Sequence, residues 1–112
     1  MSKTSDFYCD EVFSGKTPVE KVLETANVLA YHHTRPFWPV HIVVASKLHV
    51  DSLLTVENEL LIELMGVAKK VAELVLNEHG AARVLTNLGD YQDSKHLHFH
   101  VSSGQQNRPD QT

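Results

Sequence analysis

The 112-residue sequence predicts an α+β fold: a five-stranded antiparallel sheet carrying one long helix and one short one. Three observations predict it. One stretch, 56–77, repeats apolar residues at helical spacing. Five shorter stretches are rich in β-branched or alternating apolar residues. The strands group into hairpins on either side of the one major helix, which favours antiparallel pairing over a doubly wound sheet.

The elements follow in order. Residues 6–13 suit a short helix, with Ser5 as N-cap and Gly15 closing it. KVLE (21–24), a Thr25-Ala26-Asn27 turn and VLAYHH (28–33) read as a hairpin. Pro36 and Pro39 punctuate the chain before HIVVAS (41–46), a β-branched strand. LHVDSLL suits a single helical turn. In the long helix, Leu60, Leu64, Val67, Val71, Leu74 and Val75 make one stripe. Thr55 is the expected N-cap, Glu57 and Glu59 complement the positive helix start, and Gly80 supplies the stop. ARVLTN (82–87) is the fourth strand, LGDYQDS a loop, and KHLHFHVSS (95–103) the fifth. The chain reads as one domain, with 1–5 and 104–112 as loose tails.

Composition narrows the function classes. Hydrophobic residues at 42% and charged residues at 21% describe an ordinary globular protein. A net charge of −4 gives no support to nucleic-acid or anionic-membrane binding. The lone Cys9 makes no intrachain disulfide, no apolar run approaches a membrane span, and no secretory signal opens the chain. The expectation is a cytoplasmic protein. Eight histidines are the unusual count, and three fall in one motif.

His96, His98 and His100 alternate with Leu97, Phe99 and Val101. On a strand the histidines share one face and the apolar residues pack into the core on the other. Neighbouring imidazoles then lie about 7 Å apart along the strand. Two of them could chelate zinc, whereas three on one straight strand need further ligands to complete a tetrahedron. The row could equally do nucleophilic or acid/base chemistry, or be the polar face of an open sheet. The large apolar residues between the histidines argue against the last. His41 opens HIVVAS and reaches the row if that strand lies beside the fifth. Asn87 ends ARVLTN with an amide able to donate to phosphate or accept from a sugar hydroxyl, although an Asn there is ordinarily a turn residue.

WPVHIVVASKLHV followed by QDSKHLHFHV resembles the histidine triad family. That family carries His-x-His-x-His with apolar residues between and after. It also has an upstream strand of the type His41-Ile42-Val43-Val44 and a Gln four residues before the first triad histidine, here Gln92. The likeness runs from residue 6 to 104 and is greatest to the Hint-like branch. It implies hydrolysis of nucleoside monophosphates joined to a leaving group by phosphoramidate, anhydride or ester bonds. The implied intermediate is a nucleotidyl-histidine, formed without metal or other cofactor. Carried over by position, His98 is the nucleophile, and His96 orients it through its backbone carbonyl. His100 meets phosphate oxygens, Asn87 and Gln92 add donors, and His41 supports the row. A homodimer joined into one continuous sheet is also implied.

Two positions depart from the family pattern. His33 stands where an Asp receives the ribose hydroxyls, and a neutral imidazole accepts one hydrogen bond where a carboxylate accepts several. Asp93 stands where a Ser touches phosphate, and its charge is repulsive there unless offset by Arg35 or Lys95. The expectation is a changed or weakened substrate preference; the alternative is a nucleotide- or protein-binding module of reduced activity. Relatives with structural zinc suggest a further ligand set in Asp6, Cys9, His49 and His96, with half of the usual cysteine pair missing.

Overall fold

In the computed structural model, residues 12, 15, 18–92 and 94–105 are described. Most of the expected short helix lies outside them. Val12 is buried, and the Gly15 N–H donates to its carbonyl.

β1 (Lys21–Glu24) and β2 (Val28–His32) form the expected hairpin, and β2 pairs with β3 (Val40–Ser46). The helix α1 (Asn58–His79) follows, then β4 (Arg83–Leu85) and β5 (His98–Ser103). The strands lie in the order β1-β2-β3-β5-β4 with every pair antiparallel, so β5 fills the gap between β3 and the short edge strand β4. The fold is thus the predicted five-stranded antiparallel sheet with one long helix.

The period-two alternation of β3 and β5 gives the sheet two distinct faces. Ile42, Val44, Leu97, Phe99 and Val101 point toward α1 and share its core with Leu60, Leu64, Val67, Val71 and Val75. The opposite face carries His41, Val43 and Ala45 from β3 and His98, His100 and Ser102 from β5, in facing register. Leu29 and Tyr31 of β2 continue this face, and Val12 packs with them.

Several details differ from the sequence reading. The 48–54 segment is no helix: its end folds into a turn in which the Thr55 N–H donates to the Ser52 carbonyl. That turn engages Thr55, so α1 starts three residues on, with Glu57 at its N-cap and no side-chain cap. Gly80 closes α1 as expected, at φ +79° with its N–H on the Leu76 carbonyl, and the last helical residue, His79, lies two beyond the expected 77. Leu74 is half-exposed at the flank of the stripe, and Ala68 takes its place in the core. β2 ends at His32, although the His33 N–H still donates to the His41 carbonyl in the same register. β5 begins only at His98: the Leu97 N–H is bonded to the Val50 carbonyl, so His96 stands just ahead of the strand. β4 is likewise shorter than 82–87, and Asn87 follows it.

Candidate active site

His98 and His100 face Ala45 and Val43 across the β5–β3 ladder, and His41 faces Ser102 one step further. All four imidazoles, counting His96, are buried, with exposures of 0 to 7%. The ring centroids of His98 and His100 are 4.9 Å apart and nearly perpendicular, and those of His100 and His41 are also 4.9 Å apart. His33 stacks on the outer side of His41 at 4.2 Å and an interplanar angle of 20°. The structure therefore joins His33, His41, His100 and His98 into one connected set of rings. His96 turns away to meet His49, centroid to centroid at 5.3 Å.

Hydrogen bonds assign the protons. The Phe37 N–H donates to His41 Nδ1 at 3.0 Å. A neutral His41 must then carry its hydrogen on Nε2, which lies 2.8 Å from His100 Nδ1 and donates to it. His100 is left with its hydrogen on Nε2. That atom is buried and has no hydrogen-bond partner among the described residues. Both rings are neutral at ordinary pH. Burial, then the charges of His33 and His98, lower the His41 pKa to about 3. Burial, then His98, His41 and His33, lower that of His100 to about 2.

The same logic sets His98. Its Nδ1 lies 2.6 Å from the His96 carbonyl, which only accepts, so Nδ1 holds the hydrogen and Nε2 the lone pair. His96 in turn donates Nε2–H to the Ser46 carbonyl at 2.5 Å. The site thus sets a ring whose lone pair is on Nε2 beside a ring whose buried N–H is a hydrogen-bond donor. A buried donor left unmet costs about 1–3 kcal/mol, so an anionic oxygen is favoured at His100 Nε2.

The remaining candidates are placed less uniformly. Asn87 is two residues past Leu85, the partner of His100; the same register continued brings it level with His98. The Thr86 hydroxyl donates to the His98 carbonyl at 2.7 Å and ties that segment to β5. Gln92 is buried, but it donates one amide hydrogen to the Asp51 carbonyl at 2.7 Å. Lys95 donates to the Gly89 and Gln92 carbonyls. His33 Nδ1 accepts the Arg35 N–H at 2.9 Å. Asp93 lies outside the described residues, as do Asp6 and Cys9 of the suggested zinc set. His49 Nε2 meets Asp51 at 2.9 Å, and no group of three metal-ligating side chains is found among the described residues.

Phe37 and Trp38 have no role in the sequence reading. The structure buries both against His41, Phe37 also supplying the amide on which the proton assignment turns. A signal existed: the chain's one Trp stands three residues before His41.

The chain is similar to known proteins. The HIT domain profile matches residues 14–107. An uncharacterised HIT-like protein of Azospirillum brasilense is 36% identical, with 97% of this chain and 96% of the relative aligned. The adenylylsulfatase HINT1 of Arabidopsis thaliana is 33% identical over 87% of this chain and 70% of its own. The solved structure of a histidine triad protein from Clostridium difficile is 30% identical, covers 98% of both chains and superposes with a TM-score of 0.75.

Proposed function

The chain belongs to the histidine triad (HIT domain) family, and from that premise we propose that it is a nucleotide phosphoramidase acting through a nucleotidyl intermediate on His98. The observation that carries this reading is the hold of the His96 carbonyl on His98 Nδ1–H, which puts the ring's lone pair on Nε2, next to a ring, His100, with a buried Nε2–H.

In the first step His98 Nε2 attacks the phosphorus of a nucleoside monophosphate derivative. The new P–N bond forms as the bond to the leaving group breaks, and the leaving group departs with that electron pair and takes a proton from solvent. Positive charge develops on the His98 ring, and the His96 carbonyl stabilises it through the Nδ1–H. Negative charge on the phosphoryl oxygens meets the His100 N–H, a donor already oriented by His41. In the second step water attacks the phosphorus and gives a proton to solvent, the P–N bond breaks with its electron pair returning to His98 Nε2, and the nucleoside monophosphate and neutral His98 are released. Asn87 and Gln92 add amide donors to phosphate, and the Asp93 carboxylate, repulsive to phosphate, alters the substrate preference. The name of the Arabidopsis relative, an adenylylsulfatase, supports a nucleotidyl anhydride or phosphoramidate as the substrate class.

His98→Ala should abolish turnover of adenosine 5′-phosphoramidate, a loss of at least about 10³-fold, with an unchanged circular dichroism spectrum. Undiminished turnover contradicts the proposal.

One observation favours a second reading, a binding module of weak activity. His33 Nδ1 already accepts the Arg35 N–H, so its ring offers no acceptor to a ribose hydroxyl. Tight nucleotide binding without turnover by the wild-type protein would select that reading.

The protein is further proposed to work in the cytoplasm as a homodimer. Ile62, Met65, Gly66 and Leu76 make a partly apolar stripe on α1 opposite its core face, with Ile62 72% exposed. No helix among the described residues is long and apolar enough to cross a membrane.

A further inference from the structure

The proton assignment begins at a backbone amide, that of Phe37, in the 33–39 loop. What holds that amide in place comes from the edge strand β4. Arg83 on β4 pairs with Ser102 on β5, and Ser102 pairs with His41 on β3, so all three side chains lie in one row on the histidine face. The Arg83 guanidinium donates to Ser102 Oγ at 3.2 Å and to the Gly104 carbonyl at 2.9 Å. Its Cζ sits 5.6 Å from the centre of the Trp38 ring, within cation–π range. Trp38 in turn meets the His41 ring edge to face at 4.8 Å.

Pro39 completes the clamp. A Cβ at Gly104 would come within 2.8 Å of the Pro39 ring, and Gly104 has φ +91°, so glycine is required there both by backbone and by space. The two residues after Phe37 are thus fixed by β4 and the end of β5: Trp38 under Arg83, and Pro39 on Gly104. Between them and His41 only Val40 intervenes.

We propose that Arg83 and Trp38 are positioning residues that hold the Phe37 amide on His41 Nδ1 and so set the hydrogen of His100 on the nitrogen that faces substrate. Neither need touch substrate. If the clamp loosens, His41 Nδ1 loses its donor, and the ring is free to take the other tautomer. His41 then presents a lone pair to His100 Nδ1, His100 answers with its own Nδ1–H, and its Nε2 becomes an acceptor. An acceptor there repels the phosphate oxygens that a donor would hold. This inference rests on the functional reading above, but its first readout does not.

The test is imidazole nitrogen-15 NMR on the full chain without substrate, for wild type, Arg83→Gln, Trp38→Ala and Trp38→Phe. Wild type should show His41 and His100 as Nε2–H tautomers. Arg83→Gln and Trp38→Ala should show a second tautomer at both rings, while Trp38→Phe, which keeps an aromatic ring, should restore the wild-type pattern. With adenosine 5′-phosphoramidate the first two should lose about tenfold in kcat with KM changed less than about twofold. Arg83 is exposed, so its variant tests the idea even if Trp38→Ala fails to fold. Wild-type tautomers in Arg83→Gln overturn the proposal. A tautomer shift with unchanged kcat upholds the positioning and contradicts the functional reading instead.

Discussion

At the scale of single residues, the site is governed by how little charge its imidazoles can carry. Four connected rings within a sheet face would repel one another if protonated, and burial adds a desolvation cost. The unfolded chain binds protons at His41 and His100 near pH 6.5, the folded chain only near 3 and 2. The unfolded state therefore holds more protons as pH falls below 6.5, and folding stability declines with it. We predict a loss approaching about 1.4 kcal/mol per pH unit per site between pH 6 and 5, above the range where carboxylates titrate. Urea unfolding at several pH values checks this, and His41→Gln should flatten the slope. The row itself was legible in the sequence, because alternation with Leu97, Phe99 and Val101 admits one arrangement. Its proton pattern was not. It depends on the Phe37 and Arg35 amides, the Ser46 carbonyl and the turn of His96 out of the strand, and none of these leaves a periodic trace.

At the scale of elements, the long helix is the frame that keeps the sheet in place. Its stripe was readable to within one residue either way, Ala68 entering and Leu74 leaving, because helical spacing fixes a face but not its edges. Less readable was Glu63, which looks in sequence like one of several solvated acids. Its carboxylate accepts from the Thr25 hydroxyl and from the backbone and side-chain N–H groups of Asn27, at 2.9 and 3.0 Å for the last two. These bonds pin the β1–β2 turn to the helix and hold the Glu63 carboxyl below its ordinary pKa. Contacts across 36 residues have no local signature. Glu63→Ala should lower stability by about 1–2 kcal/mol, measured by urea denaturation, while leaving kcat unchanged. The helix start departs from the sequence expectation for a related reason. Thr55 has the residue type of a cap, but Ser52 engages it in the preceding turn.

At the scale of the whole molecule, the sheet order explains why histidines distant in sequence meet. β5 enters between β3 and β4, so residues near 41 and near 100 become neighbours across one ladder. The helix covers one face and leaves the other to the histidines. Gly66 sits mid-helix on the outward stripe, with nothing within 4 Å of where a Cβ would stand. If a second copy packs closely there, Gly66→Ala should weaken dimerisation in analytical ultracentrifugation. In a monomer it should instead raise stability by about 0.5–1 kcal/mol through helix propensity.

The most direct test of the central claim is to find where phosphorus goes. Wild-type protein mixed with adenosine 5′-phosphoramidate, quenched within its first turnovers and digested at neutral pH, should yield a peptide spanning 96–100 that carries an adenylyl group on His98 by mass spectrometry. Turnover with no adduct, or an adduct on a different side chain, would contradict the account.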